Sequence, residues 1–297
     1  MGFAKRAHVE WKLRTRTLPL GARTLVMGVL NVTPDSFSDG GAFREPAVAA
    51  EHALAMFAAG AEMVDIGGES TRPGARGPLS ADEEIDRVLP VMEEVLRARP
   101  GALLSIDTYH AETARAAVAA GAEIVNDVSG FLWDGAMART CAELGCGVVL
   151  MHTRGRPEEW RRLPRLAAAE VLPLVKRELG ERLKSARDEG IERERIALDP
   201  GYGFGKSFEA NYPLLAAQEE LLALGQPLLA GISRKSFLAR TLAPLHGGED
   251  APMNARGNAT LAATVAAVLA GASIVRVHEV RPAVEACLIA DAILAGG

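Results

Sequence analysis

One unit recurs eight times along this chain: a short apolar run, a polar or glycine-rich loop, then an alanine-rich stretch with helical spacing. The runs are Leu25–Leu30, Glu62–Ile66, Leu103–Asp107, Glu123–Val128, Gly147–His152, Arg195–Asp199, Pro227–Ile232 and Ser273–His278. The helical stretches between them are Pro46–Ala59, Ala81–Arg97, Ala111–Ala120, Asp134–Leu144, Leu166–Glu189, Phe208–Leu224, Ala255–Ala270 and Pro282–Ala295. Apolar runs without in–out alternation are strands buried on both faces, and strands separated by helices pair in parallel. Eight such pairs in roughly 250 residues predict a (β/α)8 TIM-type barrel, and the whole chain, 1–297, reads as one domain. A doubly wound open sheet fits less well. No G-x-G-x-x-G follows the first run, and eight strands suit closure.

A weak internal repeat supports the barrel. Ala58-Ala59-Gly60-Ala61-Glu62 resembles Ala119-Ala120-Gly121-Ala122-Glu123, and Leu269-Ala270-Gly271-Ala272-Ser273 has the same shape. In each, a glycine caps a helix and a strand follows at once, as in the tight turns at the bottom of a barrel. Residues 1–23 stand outside the repeat as an N-terminal extension. His8 to Leu20 alternates apolar and charged side chains, which predicts a short β-hairpin across the barrel bottom.

Composition narrows the partners. A net charge of -5 argues against nucleic acid, whose binders are usually basic. Cys141, Cys146 and Cys287 match no zinc spacing and read as reduced, buried thiols. Met1 to Leu20 lacks the apolar core of a signal peptide, and no uninterrupted apolar stretch reaches the ~18 residues of a membrane span. The expectation is a soluble, cytoplasmic protein.

In such a barrel, functional groups sit at the carboxyl ends of the strands. The unusual polar residues collect there: Asn31, the loop Asp65–Gly74, Asp107, Asn126 with Asp127, His152, Asp199 through Lys206, Ser233 to Ser236, and Arg276 with His278. Arg276 and His278 share a face because strand side chains alternate. A lone Asp at a strand end can cap the next helix, and a lone buried Arg can be a structural ion pair. Polar ends on all eight strands point instead to a site. Asp107, Asn126 and Asp199 offer acceptors, and Asn126 and Lys235 offer donors, a set that suits a flat heterocycle bearing amide and amino groups. Met151 and Phe204 supply apolar or stacking surface. Arg72, Arg276 and His278 suit a phosphate or carboxylate. Asn31, near Asp35 and Asp39, offers oxygens for Mg²⁺. The first loop, Asn31–Gly41, is long for a plain strand-to-helix connection and carries an unexplained aromatic, Phe37.

Asn31–Gly41, Asp65–Gly74, Ser105–Tyr109, Asn126–Gly130, Asp199–Lys206, Ser233–Ser236 and Arg276–His278, in that order from about Met27 to the C-terminus, resemble the successive motifs of the dihydropteroate synthases. The resemblance implies condensation of (7,8-dihydropterin-6-yl)methyl diphosphate with 4-aminobenzoate. It implies a pterin site of Asp107, Asn126, Asp199 and Lys235, with Met151, Phe204 and Arg276 around it. The diphosphate would use Asn31 through Mg²⁺, together with Thr71, Arg276 and His278. The aminobenzoate would lie at Thr71, Arg72, Pro73 and Ser236, under a lid carrying Asp35 and Phe37. Asn31, Arg72, Asp107, Asp199, Lys235, Arg276 and His278 would carry the catalysis. A homodimer through the late Ala- and Leu-rich helices is also implied. The chain departs from the family pattern at Thr153, where Met or Gln commonly follows His152, and at Glu279, where Asp is usual. Arg156 to Arg165 reads as a basic, solvated loop, and His152 reads equally as a core or a rim residue.

The rivals are a pterin-dependent methyltransferase domain and a non-catalytic pterin-binding paralogue. The first needs neither Asn31 nor the Ser70-Thr71-Arg72-Pro73-Gly74 loop; the second would have lost Asn31, Thr71, Arg72 or Lys235.

Overall fold

The computed structural model describes residues 3, 6–33, 41–69 and 78–296, with side chains of 41–45 excepted. Within them every apolar run contributes a strand. The barrel strands are β3 (Leu25–Asn31), β4 (Met63–Gly67), β5 (Leu104–Asp107), β6 (Ile124–Asp127), β7 (Gly147–Met151), β8 (Ile196–Asp199), β9 (Leu228–Ala230) and β10 (Ala272–Val277). They pair in parallel and in sequence order, and β10 closes the barrel by pairing with both β9 and β3. The preceding strands β1 (Val9–Lys12) and β2 (Thr17–Leu20) form the expected antiparallel hairpin. Gly60, Gly121 and Gly271, the repeated glycines, all have positive φ (107°, 119° and 96°), a conformation open to glycine at little cost.

The helices are α1 (Gly41–Ala58), α2 (Ala81–Ala98), α3 (Ala111–Ala120), α4 (Met137–Leu144), α5 (Ala168–Asp188), α6 (Phe208–Ala216), α7 (Ser236–Thr241), α8 (Gly257–Leu269) and α9 (Val280–Gly296). Two features differ from expectation. The stretch 208–224 divides into α6 and a 3₁₀ segment, Gln218–Leu224. The buried Gln218 bonds across to the Ala267 and Ala270 carbonyls and accepts from Tyr202, and these tertiary bonds outweigh helix continuation. The short α7 was not expected, because its polar start, Lys235-Ser236, reads as loop.

Strand alternation explains how one barrel carries two different ends. On the inward face of β10 the order from bottom to top is Ile274, Arg276, then His278 beyond the strand; on β4 it is Met63, then Asp65. The lower members Leu25, Met27, Met63, Leu103, Ile124, Val149, Ala197, Leu229 and Ile274 form one apolar cluster with Trp11, Leu13 and Leu20 of the hairpin. The hairpin therefore plugs the bottom, and Trp11 Nε1 donates to the Arg195 carbonyl at 2.9 Å. A second cluster fills the layer between strands and helices.

Candidate active site

The upper members of the same strand faces are mostly polar, and with a few apolar neighbours they line a cavity of about 390 Å³ at the carboxyl end of the barrel. Its lining includes Asn31, Asp107, Asn126, Met151, Asp199, Phe204, Lys235, Ser236, Arg276 and His278, each expected from sequence. Asp35, Phe37, Thr71, Arg72 and Pro73 lie outside the described residues.

Two of the lining residues, Asn126 and Arg276, converge on Asp65, which is fully buried on β4, outside the cavity lining, and not anticipated as a site residue. Its Oδ2 accepts from Arg276 Nε at 2.6 Å and from Asn126 Nδ2 at 2.9 Å. The other end of the Arg276 guanidinium donates to Asp107 Oδ2 at 2.6 Å. One arginine thus bridges two carboxylates from neighbouring strands, and the fork geometry of guanidinium fixes both. Asp107 faces Gly67 across the β4–β5 register, where an added Cβ would lie 3.3 Å from its own Cβ. A side chain at that position would crowd the carboxylate.

Charge and burial compete in this cluster. Burial raises the Asp107 pKa to about 7; Arg276 pulls it down, and Asp65 and Glu84 push it up. Burial also raises Asp199, against the Gly201 N–H, which donates to its Oδ1 at 2.6 Å. For Arg276 burial alone would lower the pKa, but Asp65 and Asp107 leave it raised, so it stays charged. Neither strand-end aspartate caps a helix: Ala111 N at the start of α3 bonds instead to Asp134 Oδ2, at 2.8 Å.

The opposite wall is apolar and cationic. Lys235 Nζ sits 3.9 Å from the Phe204 ring centroid, a cation–π distance. Trp160 packs edge-on against Phe204, with ring centroids 5.3 Å apart. Trp160 belongs to the basic segment 156–165, so that segment is not simply a solvated loop: it brings an aromatic to the cavity. Ser233 Oγ lies 3.0 Å from His278 Nδ1 and accepts from His278 N, setting the imidazole at the rim. Arg234, with φ of 60°, turns its guanidinium onto Glu279 at 2.7 Å, which gives the unusual Glu279 a partner. His152 is core: it is fully buried, its Nε2 lies 3.0 Å from Glu178 Oε2, and burial holds its pKa well below the histidine value.

Three of the missed residues left signals of different strength. Asp65 interrupts an apolar run, as Asn126 does, and could have been read the same way. Ser233 stands in the Ser233–Ser236 motif, but nothing local ties it to His278. Trp160 is hidden among arginines, and its contact with Phe204 is long-range.

Carboxylates and an amide facing a lysine and an aromatic wall, on the rim of a parallel barrel, define a pterin-binding barrel enzyme. A family profile described as "Pterin binding enzyme" matches residues 27–278. The dihydropteroate synthase of Mycobacterium leprae is 45% identical over 274 residues, covering 92% of this chain and 94% of the relative. That of Escherichia coli is 41% identical over 269 residues, covering 91% of each. Among solved structures, Xanthomonas albilineans dihydropteroate synthase with 4-aminobenzoic acid superposes with a TM-score of 0.86 at 40% identity, covering 97% of this chain and 99% of that one. The same organism's enzyme in complex with 7,8-dihydropteroate gives 0.82 at 38%, covering 96% and 99%. The chain belongs to the dihydropteroate synthase family, transferases of folate biosynthesis.

Proposed function

We propose that this chain joins (7,8-dihydropterin-6-yl)methyl diphosphate to 4-aminobenzoate, forming 7,8-dihydropteroate and releasing diphosphate, and that the residues lining the cavity divide the work. The observation that carries the reading is the Asp107–Arg276–Asp65–Asn126 network on one wall, opposite Lys235 and Phe204. Such a set matches the donors and acceptors around a pterin ring, with Met151 and Phe204 against its faces. Arg276 flanks the ring while locked to Asp65 and Asp107.

The reaction runs best as a dissociative substitution. The C–O bond to diphosphate breaks first, and the electron pair leaves with the diphosphate. The pterin methylene left behind is a cation delocalised into the ring, and Asp107 and Asp199 stabilise it electrostatically. The neutral aniline nitrogen then attacks and loses its proton, so no strong general base is required. Arg276, which stays charged, counters the charge growing on the leaving group, with His278 as a hydrogen-bonding partner at the rim. Ser236, in the cavity lining, would contact the aminobenzoate, and Thr71, Arg72 and Pro73 are proposed to take part in the same subsite. Asp35 and Phe37 act as a lid over the cation, keeping water from trapping it.

Mg²⁺ fits the donor set at Asn31. That side chain lines the cavity at the end of β3 and offers one neutral amide oxygen. Among the described residues no group of three or more His, Cys, Asp or Glu could hold a metal ion. A single protein oxygen suits an ion that takes its remaining ligands from water and substrate phosphates. When bound, the ion would neutralise diphosphate charge. The protein is further proposed to be cytoplasmic; among the described residues no helix is long and apolar enough to cross a membrane. A homodimer is proposed through α9, which exposes Leu288 and Ile289 by more than half, with Ile293 beside them.

The test is direct. Purified protein is incubated with the pterin diphosphate, 4-aminobenzoate and Mg²⁺, and the products are separated by chromatography. Dihydropteroate is expected; folded protein that yields none overturns the reading. Sedimentation of the same sample tests the dimer.

A further inference from the structure

Lys206 ends the motif Asp199-Pro200-Gly201-Tyr202-Gly203-Phe204-Gly205-Lys206, yet it is not among the residues lining the cavity. It is buried, and its Nζ donates to three backbone carbonyls: Gly201 at 2.6 Å, His152 at 3.3 Å and Phe204 at 3.4 Å. Two of these belong to the turn after β8 and one to the end of β7. The side chain therefore fastens two adjacent strand ends together, directly behind the wall that carries Gly203 and Phe204.

Close packing makes that turn sensitive to small shifts. Gly201 has φ of 65° and lies so close to the His152 carbonyl that no side chain fits. Gly203 N donates to Asn211 Oδ1 at 2.7 Å, and an added Cβ there would lie 3.4 Å from Lys235 Cδ. Gly205 O accepts from Arg154 at 3.0 Å. The turn is thus held at successive points, and its cavity-facing side meets Lys235.

The chemistry of the fastener is particular. An ammonium has three donors and no acceptor, whereas a neutral amine turns a lone pair toward one carbonyl. Burial lowers the Lys206 pKa and Asp199 works against that, while Arg182, Lys235 and Arg154 oppose a further positive charge. Arg182 from α5 does parallel work beside it, donating to the Met151 carbonyl and, at 2.8 Å, to the Thr153 carbonyl. Three consecutive carbonyls at the end of β7 are thereby taken by two buried basic side chains.

We infer that Lys206 is a positioning residue for the pterin-facing wall: its three carbonyl bonds set the 201–204 turn, and through it Phe204 and Gly203 against Lys235. The inference rests on the proposed function. Wild-type turnover tests that function, and the ratio of variant to wild-type constants tests Lys206.

The experiment compares wild type with Lys206→Met in steady-state kinetics on each substrate, alongside thermal melting. Removing hydrogen bonds to a charged group should raise the KM for the pterin diphosphate about tenfold, with the KM for 4-aminobenzoate within about twofold. A folded variant whose pterin KM stays within about twofold, or whose two KM values rise together, overturns the inference. If Lys206→Met does not fold, Lys206→Arg is read in its place. It keeps the charge, but a planar guanidinium cannot converge on three carbonyls; a pterin KM raised at least about threefold is expected, and an unchanged one contradicts the assignment.

Discussion

The two ends of this barrel are built from the same strands and solve opposite problems. At the bottom, inward-facing side chains are apolar and are sealed by Trp11, Leu13 and Leu20 of the hairpin. At the top, two to four residues further along the same faces, they are Asp65, Asp107, Asn126, Asp199 and Arg276. Burying apolar surface is favourable wherever it occurs. Burying three carboxylates is unfavourable unless each finds a cation or a donor. The bottom can tolerate substitutions of similar volume, but the top depends on particular partners. Stability is concentrated at one end and recognition at the other.

Substitutions should separate the ends, beginning with the largest effect. Asp65→Ala leaves Arg276 and Asn126 without their shared acceptor. Breaking a buried pair in this way costs roughly 3–5 kcal/mol, and the pterin kcat/KM should fall by at least about a hundredfold. Calorimetric melting and kinetics on the purified variant would measure both. Trp11→Ala removes the plug and should lower stability by about 3–5 kcal/mol while both KM values stay within about twofold. Denaturant unfolding beside steady-state assays checks this, and a large KM change would mean that the ends are coupled.

Protonation gives a smaller effect, confined to the top. The Asp107 pKa is raised to about 7, so below that pH it is mostly protonated and loses its charge as an acceptor for the pterin. The pterin kcat/KM should decline below pH 7, approaching about tenfold per unit. Asp107→Asn should remove that limb of the profile; a limb that persists assigns it to another group. For folding the sign is the same as for any carboxyl raised on burial. Its contribution is full below the unfolded value and is lost as pH rises through about 7. The smallest effect expected is for Ser233→Ala, which removes the hydroxyl that contacts the His278 imidazole and should lower kcat by about three- to tenfold, as for one hydrogen bond. Rapid-quench measurement of diphosphate release would show it.

Much of this was legible in the sequence, for physical reasons that can be named. Polar residues that close an apolar run, such as Asn126 and Asp107, stand out because a buried strand tolerates them only with partners. The bottom turns announced themselves through Gly60, Gly121 and Gly271. The identity of each partner was not legible: that Asp65 anchors both Asn126 and Arg276 depends on barrel closure, which pairs β10 with β3 and so brings Arg276 within one strand of β4. Trp160 was obscured by its basic neighbours and is recruited by Phe204 from a different loop. The six residues of α7 are too few to show a helical period.

Titration calorimetry with a pterin lacking the diphosphate tests the contrast most directly. Wild type and folded Trp11→Ala should bind it with the same affinity, and folded Asp65→Asn should bind at least about tenfold more weakly. Equal binding by all three proteins would contradict the claim that the pterin socket is built on Asp65.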